Sequence, residues 1–136
     1  MFETFEHTAD LGLRVRAKDL PSLFEEAGRG LFSMIVADMA TIQSKQPRVL
    51  EIAGTDRDYL LFDWLNELLY LFDTEHVVFG DFQVTLADDG LTATARGEPV
   101  DDARHRLDHE VKAITYHGLK IEHVGDGWVA EVIVDI

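Results

Sequence analysis

Beyond Val77 the chain changes period. Its residues stop recurring at helical steps, and Val77 to Ala87, Leu91 to Gly97, Glu110 to Tyr116, Leu119 to Val124 and Trp128 to Asp135 follow as successive short runs, the last of them nearly continuously apolar. That is the pattern of strands. Asp88-Asp89-Gly90, His117-Gly118 and Gly125-Asp126-Gly127 fall between them as hairpin signals of the Asp-Gly kind. Strands joined by such short turns pair antiparallel.

The first half adds two helices and three more strands. Phe2 to Thr8 and Leu11 to Ala17 alternate with period two around a tight connection at Thr8-Ala9-Asp10. After Asp19 and Pro21, Leu20, Leu23, Phe24, Ala27, Leu31, Met34 and Ile35 recur at three- and four-residue steps, so a first helix is expected to end near Asp38. Gly28 and Gly30 inside it cost about 1 kcal/mol each relative to alanine, which points to close packing against a sheet. They lack the flanking pattern of a phosphate loop. Pro47 to Ala53 reads as a short strand. Thr55 is then a cap for a second helix, with Asp56 and Asp58 at its positive end and Leu61, Trp64, Leu65, Leu68, Leu69 and Phe72 as its buried stripe. Glu98 to His109 has no apolar spacing and reads as a polar loop, free to move or to touch a partner. The pattern predicts an α+β fold over residues 1–136, a single domain in which a mostly antiparallel sheet packs with two amphipathic helices.

Composition narrows the chemistry. The chain has no cysteine, so disulfides, thiolate metal sites and cysteine nucleophiles are out. With 26 acidic residues against 12 basic ones its formal charge is −14, which repels nucleic acid and favours a basic protein partner. The first twenty residues hold Glu3, Glu6, Asp10, Arg14 and Arg16 and no apolar run, and no membrane contact and a cytoplasmic location are expected. Six histidines show no His-x-x-x-His pairing, and Ser22, Ser33 and Ser44 sit in no nucleophile elbow. Zinc hydrolysis and serine hydrolysis are therefore poor readings.

Three places could carry function. His7 and Asp10 flank the first turn, where an aspartate more often satisfies backbone N–H groups than binds a ligand. Asp135 closes a nearly continuous apolar strand, and the α-carboxylate of Ile136 follows one residue later. Two such carboxylates repel each other without a cation, and an all-oxygen donor set suits Ca²⁺, Mg²⁺ or Mn²⁺. Lys112 shares the expected strand face with Glu110. It is either an edge guard or a cation aimed at a phosphate or a partner's carboxylate.

Four segments carry more weight together. Glu6-His7-Thr8-Ala9-Asp10-Leu11-Gly12, Trp64-Leu65-Asn66-Glu67-Leu68-Leu69-Tyr70-Leu71, Glu110-Val111-Lys112-Ala113-Ile114-Thr115-Tyr116-His117 and the terminal Asp135-Ile136 closely resemble the archease family, in order and across nearly the whole chain. The resemblance implies a compact α+β domain with one sheet and two helices. It also implies an accessory role, not an enzyme's: promoting guanylylation and multiple turnover of an RtcB-type RNA ligase, which uses GTP and a divalent metal in tRNA splicing or RNA repair. By motif, the family's metal-binding positions fall on Asp10, Asp135 and the carboxylate of Ile136. Asp10, Lys112 and Asp135 take the ligase-activating role, and His7 and Glu110 are candidate outer contacts. Asp10 and Asp135 would meet only if the first and last strands are neighbours. Two alternatives stand beside this: a chaperone-like module for another RNA-modifying enzyme such as a tRNA methyltransferase, and a stand-alone metal-dependent phosphohydrolase.

Overall fold

Local signals set most elements. The structure, a computed structural model, describes residues 1–7 and 9–136; Thr8, expected to end the first strand and enter the connection, lies outside the described residues. Strands β1 (Phe2–His7) and β2 (Asp10–Ala17) pair antiparallel and lead into α1 (Leu20–Ile35). Asp19 caps α1, its carboxylate accepting the Ser22 N–H at 2.8 Å. The helix stops short of Asp38, which instead opens a 3₁₀ turn at Met39–Thr41 by accepting the Ala40 N–H at 3.0 Å. After β3 (Gln46–Ala53), α2 (Arg57–Glu75) is capped by Asp56 and not by Thr55. The Asp56 carboxylate receives the N–H groups of Asp58 at 2.9 Å and Tyr59 at 3.2 Å.

The remaining strands are β4 (Val77–Ala87), β5 (Gly90–Pro99), β6 (Ala113–Val124) and β7 (Gly127–Asp135). They form two antiparallel sheets, β1-β2-β7-β6 and β3-β5-β4, where the resemblance implied one. The two glycines of α1 show why. A Cβ on Gly30 would lie 2.5 Å from Leu13 of β2, and one on Gly28 would lie 3.1 Å from Phe82 of β4. The helix is wedged between the sheets and packs closely on both. Trp64 of α2 donates its indole N–H to the carbonyl of Phe24 at 2.9 Å, tying the helices together. The buried apolar residues of both sheets and both helices form one cluster.

Residues 98–124 depart from expectation. Glu110 to Tyr116 and Leu119 to Val124 are not two strands about a His117-Gly118 hairpin. Both stretches pair with the same strand, β7, and Tyr116 to Leu119 bulge opposite the single Val132. Gly118, at φ +80, permits the bulge. Glu110 and Lys112 precede β6, although the Lys112 N–H still bonds the Asp135 carbonyl of β7 at 2.8 Å. The polar loop is also anchored: Ala37 donates to the Arg106 carbonyl at 2.8 Å, and Asp108 and His109 donate to Ile35 at 2.8 Å and Met34 at 3.0 Å. The last two bonds satisfy carbonyls left open at the end of α1. No helix is long and apolar enough to cross a membrane among the described residues.

Candidate functional site

The first strand does not touch the last, because β2 lies between β1 and β7; it is β2, which Asp10 opens, that neighbours β7, with Leu11 opposite Val134. One further step along that register sets Asp10 against Asp135. On the outer sides, β1 sets His7 opposite Asp10 and β6 sets Ala113 opposite Asp135. His7, Asp10, Asp135 and Ala113 thus form one row across the end of the four-stranded sheet. Lys112 and Ile136 follow one residue beyond, and the Lys112 N–H donates to the Asp135 carbonyl at 2.8 Å.

Strand alternation fixes which way this row faces. Val132 and Val134 are fully buried on β7, so Asp135 points to the opposite face. Gly12, two residues from Asp10 on β2, is needed because the Phe5 ring lies on it; a Cβ there would sit 2.1 Å from that ring. Arg14 in turn covers Phe5 at 4.9 Å and bonds Glu3 and Glu131, each at 3.1 Å. The charges in the middle of this face are therefore matched.

At the end of the sheet they are not. His7 Nδ1 stands 4.0 Å from Asp10 Oδ2, at the outer limit of an ion pair, and both side chains are partly exposed. Among the described residues, neither Asp135, nor Lys112, nor the terminal carboxylate takes part in any ion pair. Glu110 is not brought into the row. It lies exposed ahead of β6, beside a cavity shared with Phe72 and Asp73.

The side-chain carboxylates of Asp10 and Asp135 are hard oxygen donors, of the chemistry that suits a divalent cation such as Ca²⁺, Mg²⁺ or Mn²⁺. No three His, Cys, Asp or Glu side chains gather for a metal among the described residues.

Sequence reasoning missed a second charged centre. Glu98 and His105 are 8% and 2% exposed, inside the stretch expected to be a polar loop. His105 Nδ1 accepts the Asp101 N–H at 2.9 Å, so its Nε2 carries the proton and donates to Glu98 Oε2 at 2.9 Å. The same Glu98 oxygen accepts the Gln43 N–H at 2.6 Å, and Arg104 pairs with the other. Burial pushes the Glu98 carboxyl up, but the bonds from Gln43 and His105 and the Arg104 charge outweigh it and leave it below its ordinary value. Glu98 belongs to the end of β5 and not to the loop, and His105 stands in the irregular stretch after it, so no common period links them; only the pairing of a lone glutamate with a nearby histidine and arginine hinted at the cluster.

A family model described as the Archease protein family (MTH1598/TM1083) matches residues 2–136. The chain is 44% identical to the protein archease of Pyrococcus furiosus, covering 99% of this chain and 98% of that one. It is 41% identical to the Pyrococcus abyssi protein of the same name, over the same shares. The solution structure of Methanobacterium thermoautotrophicum protein 1598 superposes with a TM-score of 0.86 at 40% identity, over 99% of this chain and 98% of that one. A crystal structure from Thermotoga maritima, an archease described as a possible chaperone, has the same fold, with a TM-score of 0.70 at 23% identity over 100% and 98%.

Proposed function

The chain belongs to the archease family, and on that premise we propose that it is an accessory protein of an RtcB-type RNA ligase. It promotes the ligase's metal- and GTP-dependent guanylylation and its multiple turnover in tRNA splicing or RNA repair. The observation that carries this reading is the row at the end of the sheet: Asp10 across from Asp135, with the backbone of Lys112 bonded to Asp135 and no ion pair at Asp135 or Lys112 among the described residues. Carboxylates at the end of one ladder with so little pairing inside the chain are open to a cation or to a partner.

Asp10, Asp135 and the α-carboxylate of Ile136 would hold a Ca²⁺, Mg²⁺ or Mn²⁺ ion. Such an ion, when bound, supplies Lewis-acid charge to phosphate oxygens. The chain's own part is positioning. The β2 and β7 ladder keeps the two carboxylates at a fixed spacing, and His7 limits the swing of Asp10. Lys112 offers a compact cation to a nucleotide phosphate or to a partner's carboxylate. With a formal charge of −14 the protein meets the reaction through a basic protein and not through RNA. The work is cytoplasmic on this reading.

The test is a single-turnover assay of GTP-dependent guanylylation of an RtcB-type ligase. Addition of this protein should accelerate the step, and Asp10→Ala should remove the acceleration while the fold persists. A folded Asp10→Ala protein that stimulates like the wild type would sink the reading. A chaperone-like role for another RNA-modifying enzyme is the second reading, favoured by the description of the Thermotoga relative. A tRNA methyltransferase recovered with this protein in place of the ligase would decide for it.

A further inference from the structure

Two cavities open beside the candidate site and meet at Asp73 and Lys112. The larger, of about 670 Å³, lies between the unpaired edge of β3 at Glu51–Ala53 and the first residues of β6. Its floor is one face of α2, where Asp63, Glu67, Tyr70 and Asp73 line up. The smaller, of about 440 Å³, is walled by Ile35, Phe72 and Leu107. The result is one furrow with Lys112 at the join: one end has an apolar wall rimmed by Asp108 and Glu110, and the other is acidic.

Neither end is explained by the fold. Leu107 is 48% exposed and Tyr70 59% exposed, so large apolar side chains face water on both reaches. Asp63 and Glu67 stand four apart on α2, a like-charge spacing that destabilises a helix by roughly 0.2–0.5 kcal/mol. None of Glu51, Asp63, Glu67 and Asp73 forms an ion pair among the described residues.

We propose that this furrow docks a segment of the partner protein in which an apolar anchor is followed by lysines or arginines. The apolar end takes the anchor, and the carboxylates of the acidic end take the basic side chains. Charge decides the occupant: a nucleic acid would meet the carboxylates with its own phosphates, and a second copy of this chain brings the same −14. The proposal rests on the accessory reading in that the segment then belongs to the ligase, which would be held one strand away from Asp135.

The experiment is an amide NMR titration with a designed probe peptide of leucines followed by lysines and arginines, and with a counterpart carrying glutamate at the basic positions. The basic probe should shift residues 51–53, 63–73 and 107–113, and the acidic probe should shift none. The double variant Asp63→Lys/Glu67→Lys should weaken the basic probe about tenfold, equivalent to ~1.4 kcal/mol. Asp88→Lys/Asp126→Lys changes the net charge equally at remote turns and should leave the affinity within about twofold. Shifts scattered over the acidic surface, equal loss in both double variants, or furrow shifts caused by dimerisation each overturn the proposal. In ligase titrations the furrow variant should raise the concentration for half-maximal stimulation and keep the maximum. Probe binding in the furrow without any ligase stimulation would leave the docking site standing and remove the accessory reading; stimulation with no furrow binding would do the reverse.

Discussion

Two charged centres flank the same loop and differ in one respect. In the Glu98–Arg104–His105 cluster every buried polar atom has its partner: Glu98 takes bonds from His105, Gln43 and Arg104, and His105 takes one from Asp101. In the row His7–Asp10–Asp135, with Lys112 and Ile136 beyond, the geometry is as well defined by strand register, yet the charges face solvent and each other. A centre that satisfies itself holds structure. One left incomplete on a rigid ladder has room for something else.

The largest expected effect tests the first half of this contrast. His105→Ala leaves the buried Glu98 short of a donor and should cost about 3 kcal/mol of stability, read as a lower denaturation midpoint. A loss under about 1 kcal/mol would mean that water replaces the imidazole and the cluster is not structural. Metal addition tests the other half. At a concentration near a hundred times its Kd, Ca²⁺ or Mn²⁺ should stabilise the wild type by about 2.7 kcal/mol and leave Asp135→Asn unmoved, as thermal shifts would show. Equal shifts in both proteins would place the ion elsewhere.

Acid should loosen the Glu98 cluster. The folded-state pKa of Glu98 lies below its ordinary value, so the stability it contributes is present above the unfolded carboxylate value and fades as pH falls through the lowered one. Amide exchange in residues 100–109 should therefore speed up, beyond the intrinsic pH trend, as pH drops below the usual carboxylate range, and Glu98→Gln should abolish that dependence. The smallest effect belongs to the row. Asp10→Asn removes repulsion and one exposed contact, and should move stability by no more than about 0.5 kcal/mol. A large loss would show Asp10 to be a turn-capping residue after all.

The same contrast explains what could be read from the sequence. Periodicity and turn chemistry located α1, α2, β2, β4, β5 and β7 to within a few residues, and the α1 glycines announced a close approach that Leu13 and Phe82 make. The two-residue turns at Asp88-Asp89 and Gly125-Asp126 stand where the hairpin signals put them. Failures came where long-range pairing overrides local pattern. The His117-Gly118 signal is real as a left-handed glycine, but it serves a bulge because β7 continues past it as a partner. Lys112 alternates like a strand residue yet stands just ahead of β6, held to β7 by its N–H bond to the Asp135 carbonyl. The division into two sheets is set by where α1 wedges, which no single segment encodes. For the site, Asp10 and Asp135 looked ordinary one at a time; the β2–β7 ladder brings them together, whereas Glu98 and His105 had no period to betray them.

The most direct test sets the two centres against each other in one assay. Single-turnover guanylylation of an RtcB-type ligase would be measured with wild type, Asp135→Ala and His105→Ala at a temperature where all three are folded. The account predicts that Asp135→Ala loses at least about tenfold of the stimulation at an unchanged denaturation midpoint, while His105→Ala loses stability and keeps the stimulation. Full stimulation by folded Asp135→Ala, with the loss falling on His105→Ala, would contradict it.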